Sequence, residues 1–295
     1  MSADRHVSAA DETEAPRVLY VMGAGRSGST ILGVALGNHP EVFYAGELDA
    51  WLRASGEPNF PGAERARFWS RVRAGAPVDP ALAGEEPWRL FEHSLAPFRL
   101  RSRSRRRALR GLYRQHAGAL YSEIAAVSRR RWVLDSSHYP LRARELRRAR
   151  RVELYLLYLV RDPAQVIASF SRTDVTNPPK ARLLTEAYLH LTHLFSVAVF
   201  LTHPRRRRML VRYEDLADEP QQLLARITDW LGLARETLDL DSLRTGQAFQ
   251  GNRILERERI GFSVRRHEGG SPGAPLADLT QLPWGLVHDV LRPRL

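Results

Sequence analysis

The sequence predicts an α/β fold: a central parallel sheet with helices on both faces. Three observations carry this: short apolar runs, a glycine-rich turn directly after the first of them, and helical stretches interleaved with the rest. "RVLYVM" (Arg17 to Met22) is an apolar run stopped by Gly23, as expected of a parallel strand covered on both faces. "STILGVALGNHP" follows, with Ile31, Leu32, Ala35 and Leu36 on one helical face and a stop at Gly37, Asn38 and Pro40. "EVFYAG" (Glu41 to Gly46), "RWVLDS" (Arg131 to Ser136), "VELYLLYLV" (Val152 to Val160) and "RMLVRY" (Arg208 to Tyr213) are further strands, most of them followed by helical stretches. Strands alternating with helices imply parallel pairing through right-handed crossovers.

The chain of 295 residues is 43% hydrophobic, enough to bury a core as one large domain or two small ones. We expect one domain over 17–295, a disordered tail over 1–16, and a long insertion at about 52–130 between the second and third strands. That insertion contains "RLRSRSRRRALRGLYRQ" (Arg99 to Gln115). It reads as solvated helical faces, or as a helical cap, because ligands sit outside the carboxyl ends of parallel strands. Cysteine is absent, which removes thiolate catalysis, Cys-ligated zinc and iron–sulfur chemistry. The formal charge is +12, and of 45 basic residues only Lys180 is lysine. This arginine bias supports a general attraction to anions more than a nucleic-acid surface. The N-terminus is polar and acidic, without a signal-peptide core, and no run approaches a membrane span; the expected location is the cytoplasm.

"GAGRSGST" (Gly23 to Thr30) poses the central question. Gly23, Gly25 and Gly28 spell the dinucleotide fingerprint, whereas Gly23, Gly28 and Thr30 fit a P-loop with Ser29 in place of its lysine. Either way, backbone amides at a helix start form an anion cradle. A nicotinamide dehydrogenase would use Glu47, 19 residues after Gly28, on the ribose. A kinase would want the missing lysine and an aspartate for magnesium.

A second anion site is legible in "YLVRDPAQVIASF". Arg161 ends a strand, Asp162 is the expected N-cap, Pro163 the first helical residue, and Ser169 lies about two turns beyond the cap. One loop for a 5′ group and an Arg/Ser pair for a second phosphate describe a nucleotide phosphorylated at two places.

These residues resemble the sulfotransferases that use 3′-phosphoadenosine 5′-phosphosulfate (PAPS). "RSGST" (Arg26 to Thr30) is similar to the 5′-phosphosulfate loop of protein-tyrosine, carbohydrate and many bacterial members, and Arg161 with Ser169 matches the 3′-phosphate motif. "HPEVFYAGEL", "VLDSSHYPLRARELRR", "LVRYEDLADEP" and "GNR" (Gly251 to Arg253) resemble further family segments in the same order. The resemblance implies a P-loop NTPase-like three-layer fold and metal-independent transfer of a sulfuryl group from PAPS to a hydroxyl of a small-molecule, carbohydrate or peptide acceptor. It implies a cofactor site of Gly25, Arg26, Ser27, Gly28, Ser29, Thr30, Arg161, Ser169, Asn252 and Arg253. Arg26 would neutralise the bridging oxygen. Glu47 matches the glutamate of the tyrosine-protein enzymes, and His138 the histidine of the cytosolic phenol and steroid enzymes; both stand as candidate bases, Glu47 ahead. Asp135 and Ser137 are expected to shape the same pocket, and the acids of "VRYEDL" to bind backbone amides or an arginine. The ending "LRPRL" lacks the aromatic tail common in relatives, which implies a shortened C-terminus. Two other readings stay open: an oxidoreductase using NAD(P), and a non-enzymatic arginine-rich nucleic-acid binder.

Overall fold

A computed structural model describes residues 15–162, 165, 166, 169 and 182–264. Pro163, the tail up to residue 14 and the stretch from residue 265 lie outside the described residues.

Five parallel strands form the central sheet: β1 (Arg17–Gly23), β2 (Val42–Gly46), β3 (Trp132–His138), β4 (Glu153–Val160) and β5 (Arg208–Arg212), in the order β2-β3-β1-β4-β5. The period-two geometry of a strand sorts their side chains to two faces. Val18, Tyr20 and Met22 of β1 point into one core with Leu156, Tyr158 and Val160. Leu19 and Val21 point into the other with Leu157 and Leu159. Burial on both faces explains why these strands read as unbroken apolar runs.

The first core is covered by α2 (Ala63–Gly75), α3 (Glu85–Phe91), α4 (Arg103–Ser128), α5 (Pro140–Leu146) and α6 (Arg182–Leu201). The second is covered by α1 (Ser29–Gly37), α7 (Tyr213–Asp218) and α8 (Pro220–Leu231). The arginine-rich stretch of the insertion lies largely in α4, which buries Leu109, Tyr113, Ala117, Leu120, Tyr121 and Ile124 on one stripe at three- and four-residue spacing. Its arginines occupy the remaining faces.

Each predicted strand forms, within a residue or two of its expected ends. One boundary differs: Tyr213 begins α7 instead of ending β5. The terminal stretch that carries no clear pattern contributes a two-residue antiparallel pair, β6 (Leu243–Arg244) with β7 (Arg259–Ile260).

All five strands end at the same edge, so Gly46, His138, Gly23, Val160 and Arg212 bring their following residues together there. The pairing of β1 with β3 shifts register between Tyr20 and Met22, and that of β2 with β3 between Tyr44 and Gly46. Irregularity is thus concentrated where chemistry-bearing loops emerge.

Candidate active site

The glycine loop leaves β1 beneath its neighbour. A Cβ at Gly23 would strike the Leu159 carbonyl, so only glycine lets the turn pass β4. Gly28 adopts φ +88°, and a Cβ there would lie 2.8 Å from the Tyr213 ring. Arg26 also takes a left-handed backbone, φ 68°, a conformation that non-glycine residues hold only when their surroundings demand it. Helix α1 then starts at Ser29, pointing its free amides at the loop. Ser27 is 1% exposed, and its Oγ is buried without a hydrogen-bond partner. A buried hydroxyl without a protein partner beside a helix N-terminus suits an anion-binding role.

Arg161 is buried where β4 ends. Its Nη1 donates to the Arg26 carbonyl at 2.8 Å, and its guanidinium lies 3.9 Å from the Tyr213 ring centroid. Arg26 Nε in turn donates to Ser169 Oγ at 3.1 Å. The loop and the Arg161/Ser169 pair therefore adjoin as one continuous basic site, closer together than two separate pockets. Asp162 caps the helix that carries Ser169: its Oδ1 accepts from the Gln165 amide at 3.0 Å. Glu214 accepts from the Asp162 amide at 3.1 Å and lies 3.7 Å from Arg212, which matches the expected structural use of the "VRYEDL" acids.

Glu47 follows β2 and is half-buried. Its amide donates to Gln250 at 2.8 Å, and a Cβ at Gly251 would lie 3.9 Å from its Oε1 and from the Thr30 methyl. The "GNR" loop therefore lies between Glu47 and the glycine loop. Asn252 spends its Oδ1 on capping a turn, accepting from the Ile254 amide at 3.1 Å, while Arg253 is exposed. Burial, with Asp49 and Asp135 nearby, pushes the Glu47 carboxyl up to about 8, against the opposing pull of Arg53. His138 also has a left-handed backbone, φ 56°, and pairs with Met22 across the sheet. Burial pushes its imidazole down to about 4, so it is neutral at pH 7.

Below these groups lies a buried polar network that the sequence did not reveal. Asp135 accepts from Tyr121 at 2.5 Å, Arg142 at 3.3 Å, and the Ser137 and Leu48 amides at 2.8 and 3.4 Å. Ser137 Oγ accepts from the Asp49 amide at 3.0 Å. Asp135 and Ser137 thus fasten the turn that follows Glu47 to the end of β3.

Sequence reasoning also missed Asp49, Arg53 and an aromatic wall. Asp49 is 3% exposed; Arg53 Nη2 donates to its Oδ2 at 2.5 Å, and its Oδ1 has no partner. Arg53 lies 5.1 Å from the Trp88 ring centroid. Trp88, His93, Tyr139 and Tyr188 pack ring to ring at 4.7 to 6.0 Å, and Tyr139 continues to His138 at 4.4 Å. All four are half-buried, so a ring-lined wall runs from α3 to His138. The only sequence signal was the proximity of "ELDAWLR" to Glu47.

The fold and loop define an α/β protein with a phosphate-type anion loop at the head of its central strand. Strand order separates it from the dinucleotide-binding class: there β2 neighbours β1, whereas here β3 intervenes, so the NAD(P) oxidoreductase reading does not hold. The sequence profile described as the Sulfotransferase family matches residues 17–237, and the chain belongs to that family. Among solved structures, the chain is similar to the sulfotransferase domain from the curacin biosynthetic pathway (19% identity, 92% of this chain and 98% of that one, TM-score 0.53). It is similar also to the sulfotransferase domain of the Synechococcus PCC 7002 olefin synthase (21%, 94% and 97%, 0.53). Sulfotransferase STF9 from Mycobacterium avium shares 11% identity over 95% and 78%, with TM-score 0.52. Among curated proteins no sequence matches. Among the described residues no helix is long and apolar enough to cross a membrane, and no cluster of side chains could hold a metal ion.

Proposed function

We propose that this sulfotransferase takes its sulfuryl group from PAPS and passes it to a hydroxyl of a small-molecule, carbohydrate or peptide acceptor. The observation that carries the reading is the contact chain from Arg161 through the Arg26 carbonyl, and from the Arg26 side chain to Ser169. It joins the two anion motifs in one site, which supports a single nucleotide that reaches both. Bound PAPS supplies an activated sulfuryl group: its sulfur–oxygen bond to phosphate breaks as a bond to the acceptor oxygen forms.

The chain's own residues do the rest. Amides and hydroxyls of Gly25, Ser27, Gly28, Ser29 and Thr30 hold the 5′ end, as a helix N-terminus favours anions. Arg161, Ser169 and Arg253 hold the 3′-phosphate, with Asn252 shaping the loop of Arg253. Arg26 turns from Ser169 to neutralise charge on the departing oxygen. Glu47 takes the acceptor's proton. A base works best when its proton affinity matches the working pH, and Glu47, at about 8, fits better than His138, at about 4. His138 contacts the sulfuryl oxygens instead. The Trp88–Tyr139 wall and Arg53 orient the acceptor, and the synthase and biosynthetic origins of two structural relatives favour a natural-product hydroxyl.

The test is to incubate the purified chain and excess EDTA with labelled PAPS and a metabolite extract. Transfer of label to an alcohol, abolished in Arg161→Ala and in Glu47→Gln, is the expected result. Transfer that survives both substitutions, or none with any acceptor fraction, overturns the reading.

A further inference from the structure

One motif remains unused by the chemistry above, the arginine-rich start of α4. Arg106, Arg110 and Arg114 recur every four residues, which places them on one stripe of the helix. That stripe faces α5, where Arg144 and, just past the helix end, Arg148 repeat the same spacing. Arg110, Arg114, Arg144, Arg148 and Glu145 line an open recess of about 400 Å³. It shares no residue with the nucleotide site.

The charges do not balance. Glu145 is 1% exposed and accepts from Arg114 Nε and Nη2 at 2.9 and 2.6 Å and from Arg144 Nη2 at 3.1 Å. Arg110 lies 3.6 Å from it, too far for a hydrogen bond, and its Nε is buried without a hydrogen-bond partner. The Arg148 side chain makes no ion pair or hydrogen bond among the described residues. One carboxylate needs one guanidinium; here two are hydrogen-bonded to it, a third lies 3.6 Å away and a fourth stands by, leaving a net charge of +3 on the lining. The crowding extends outward: burial first, then Arg110, Arg144 and Arg103, lowers the proton affinity of Arg106. Like charges gathered this closely in a concave wall cost stability unless an anion relieves them. Glu145 anchors Arg114 and Arg144 beside the cavity, Arg110 Nε is left without a partner, and guanidinium forks suit the oxygens of phosphate and sulfate.

We propose that the α4/α5 cavity is a second binding site, for a small ligand carrying at least two phosphate or sulfate groups. The probe is inorganic pyrophosphate, titrated calorimetrically into the full chain. The expected result is saturable binding that weakens at least tenfold in Arg144→Ala/Arg148→Ala and persists in Arg26→Ala/Arg161→Ala, which disables the first site. Arg148→Ala alone is the safeguard against misfolding, since the Arg148 side chain is exposed and bonded to nothing described; it should weaken binding several-fold with an unchanged unfolding midpoint. Competition then identifies the source. Displacement of pyrophosphate from this site by adenosine 3′,5′-bisphosphate marks a nucleotide ligand, and displacement by fructose 1,6-bisphosphate alone marks a phosphorylated metabolite. The proposal is overturned if pyrophosphate does not bind, if binding is indifferent to Arg144 and Arg148, or if only a long polyanion such as heparin binds.

Discussion

Replacing Glu47 with glutamine should make the protein more stable at alkaline pH, and the size of the gain follows from the site. The carboxyl, ordinarily near 4.5, is raised to about 8 in the folded chain, first by burial and then by Asp49 and Asp135. The folded state therefore binds this proton more tightly than the unfolded state. Below pH 4.5 both states hold it and nothing is lost. As pH rises toward 8 only the unfolded chain releases it, so stability falls, and above 8 the full penalty of an ionised buried carboxylate is present. At about 1.36 kcal/mol per tenfold change in proton affinity, the ceiling is about 5 kcal/mol. Glu47 is only half-buried, Arg53 offsets part of its charge, and the substitution still leaves Asp49 ionising near 7. We therefore expect a gain of about 2 kcal/mol. Urea unfolding at pH 5 and pH 9 measures it: Glu47→Gln should match the wild type at the lower pH and exceed it at the higher. The same variant should show no turnover at either pH. A stability difference that does not vary with pH, or a Glu47→Gln variant weaker than the wild type at pH 9, would refute the reasoning.

Other substitutions test neighbouring parts. Arg53→Met removes the cation that opposes ionisation penalties at Glu47, so the rising limb of the pH–rate profile should move to higher pH. Gly28→Ala forces a side chain into a left-handed residue against Tyr213 and should cost about 1–3 kcal/mol of stability, together with most nucleotide affinity in calorimetry. Asp135→Ala removes one of the two carboxylates that pair with the buried Arg142 and the acceptor of Tyr121 and the Ser137 amide, and should cost about 3–5 kcal/mol in denaturant unfolding; a loss under 1 kcal/mol would show that Glu92 alone suffices as partner for Arg142.

Much of this was legible in the sequence for physical reasons. The strands are covered on both faces, so their apolar runs stand out without any need for alternation. The glycine loop and the Arg161–Asp162 strand end are local geometry, encoded by residues next to one another. What stayed hidden was tertiary. Tyr213 looks like the last residue of a strand, and nothing nearby in the chain says that its ring lies under Arg161 and against Gly28. Asp49 and Arg53 carry no motif in the sequence; only the fold sets the Asp49 amide on Ser137 and the Arg53 charge beside His138. The Asp135–Arg142–Glu92 network joins β3, α5 and the residue just past α3, and long-range polar pairing leaves no periodic trace. The resemblance to sulfotransferases already put Glu47 ahead of His138 as the candidate base, and burial, which pushes their proton affinities in opposite directions, supports the same order.

The claim that one doubly phosphorylated adenosine spans the Arg26 loop and the Arg161/Ser169 pair is tested most directly by a calorimetric cycle. Adenosine 5′-monophosphate and adenosine 3′,5′-bisphosphate are each titrated, with EDTA present, into the wild type and Arg161→Ala. The 3′-phosphate should strengthen wild-type binding by at least thirtyfold, about 2 kcal/mol for charge-assisted contacts, and should add almost nothing in Arg161→Ala. Equal gains in both proteins would place the 3′-phosphate away from Arg161 and contradict the account.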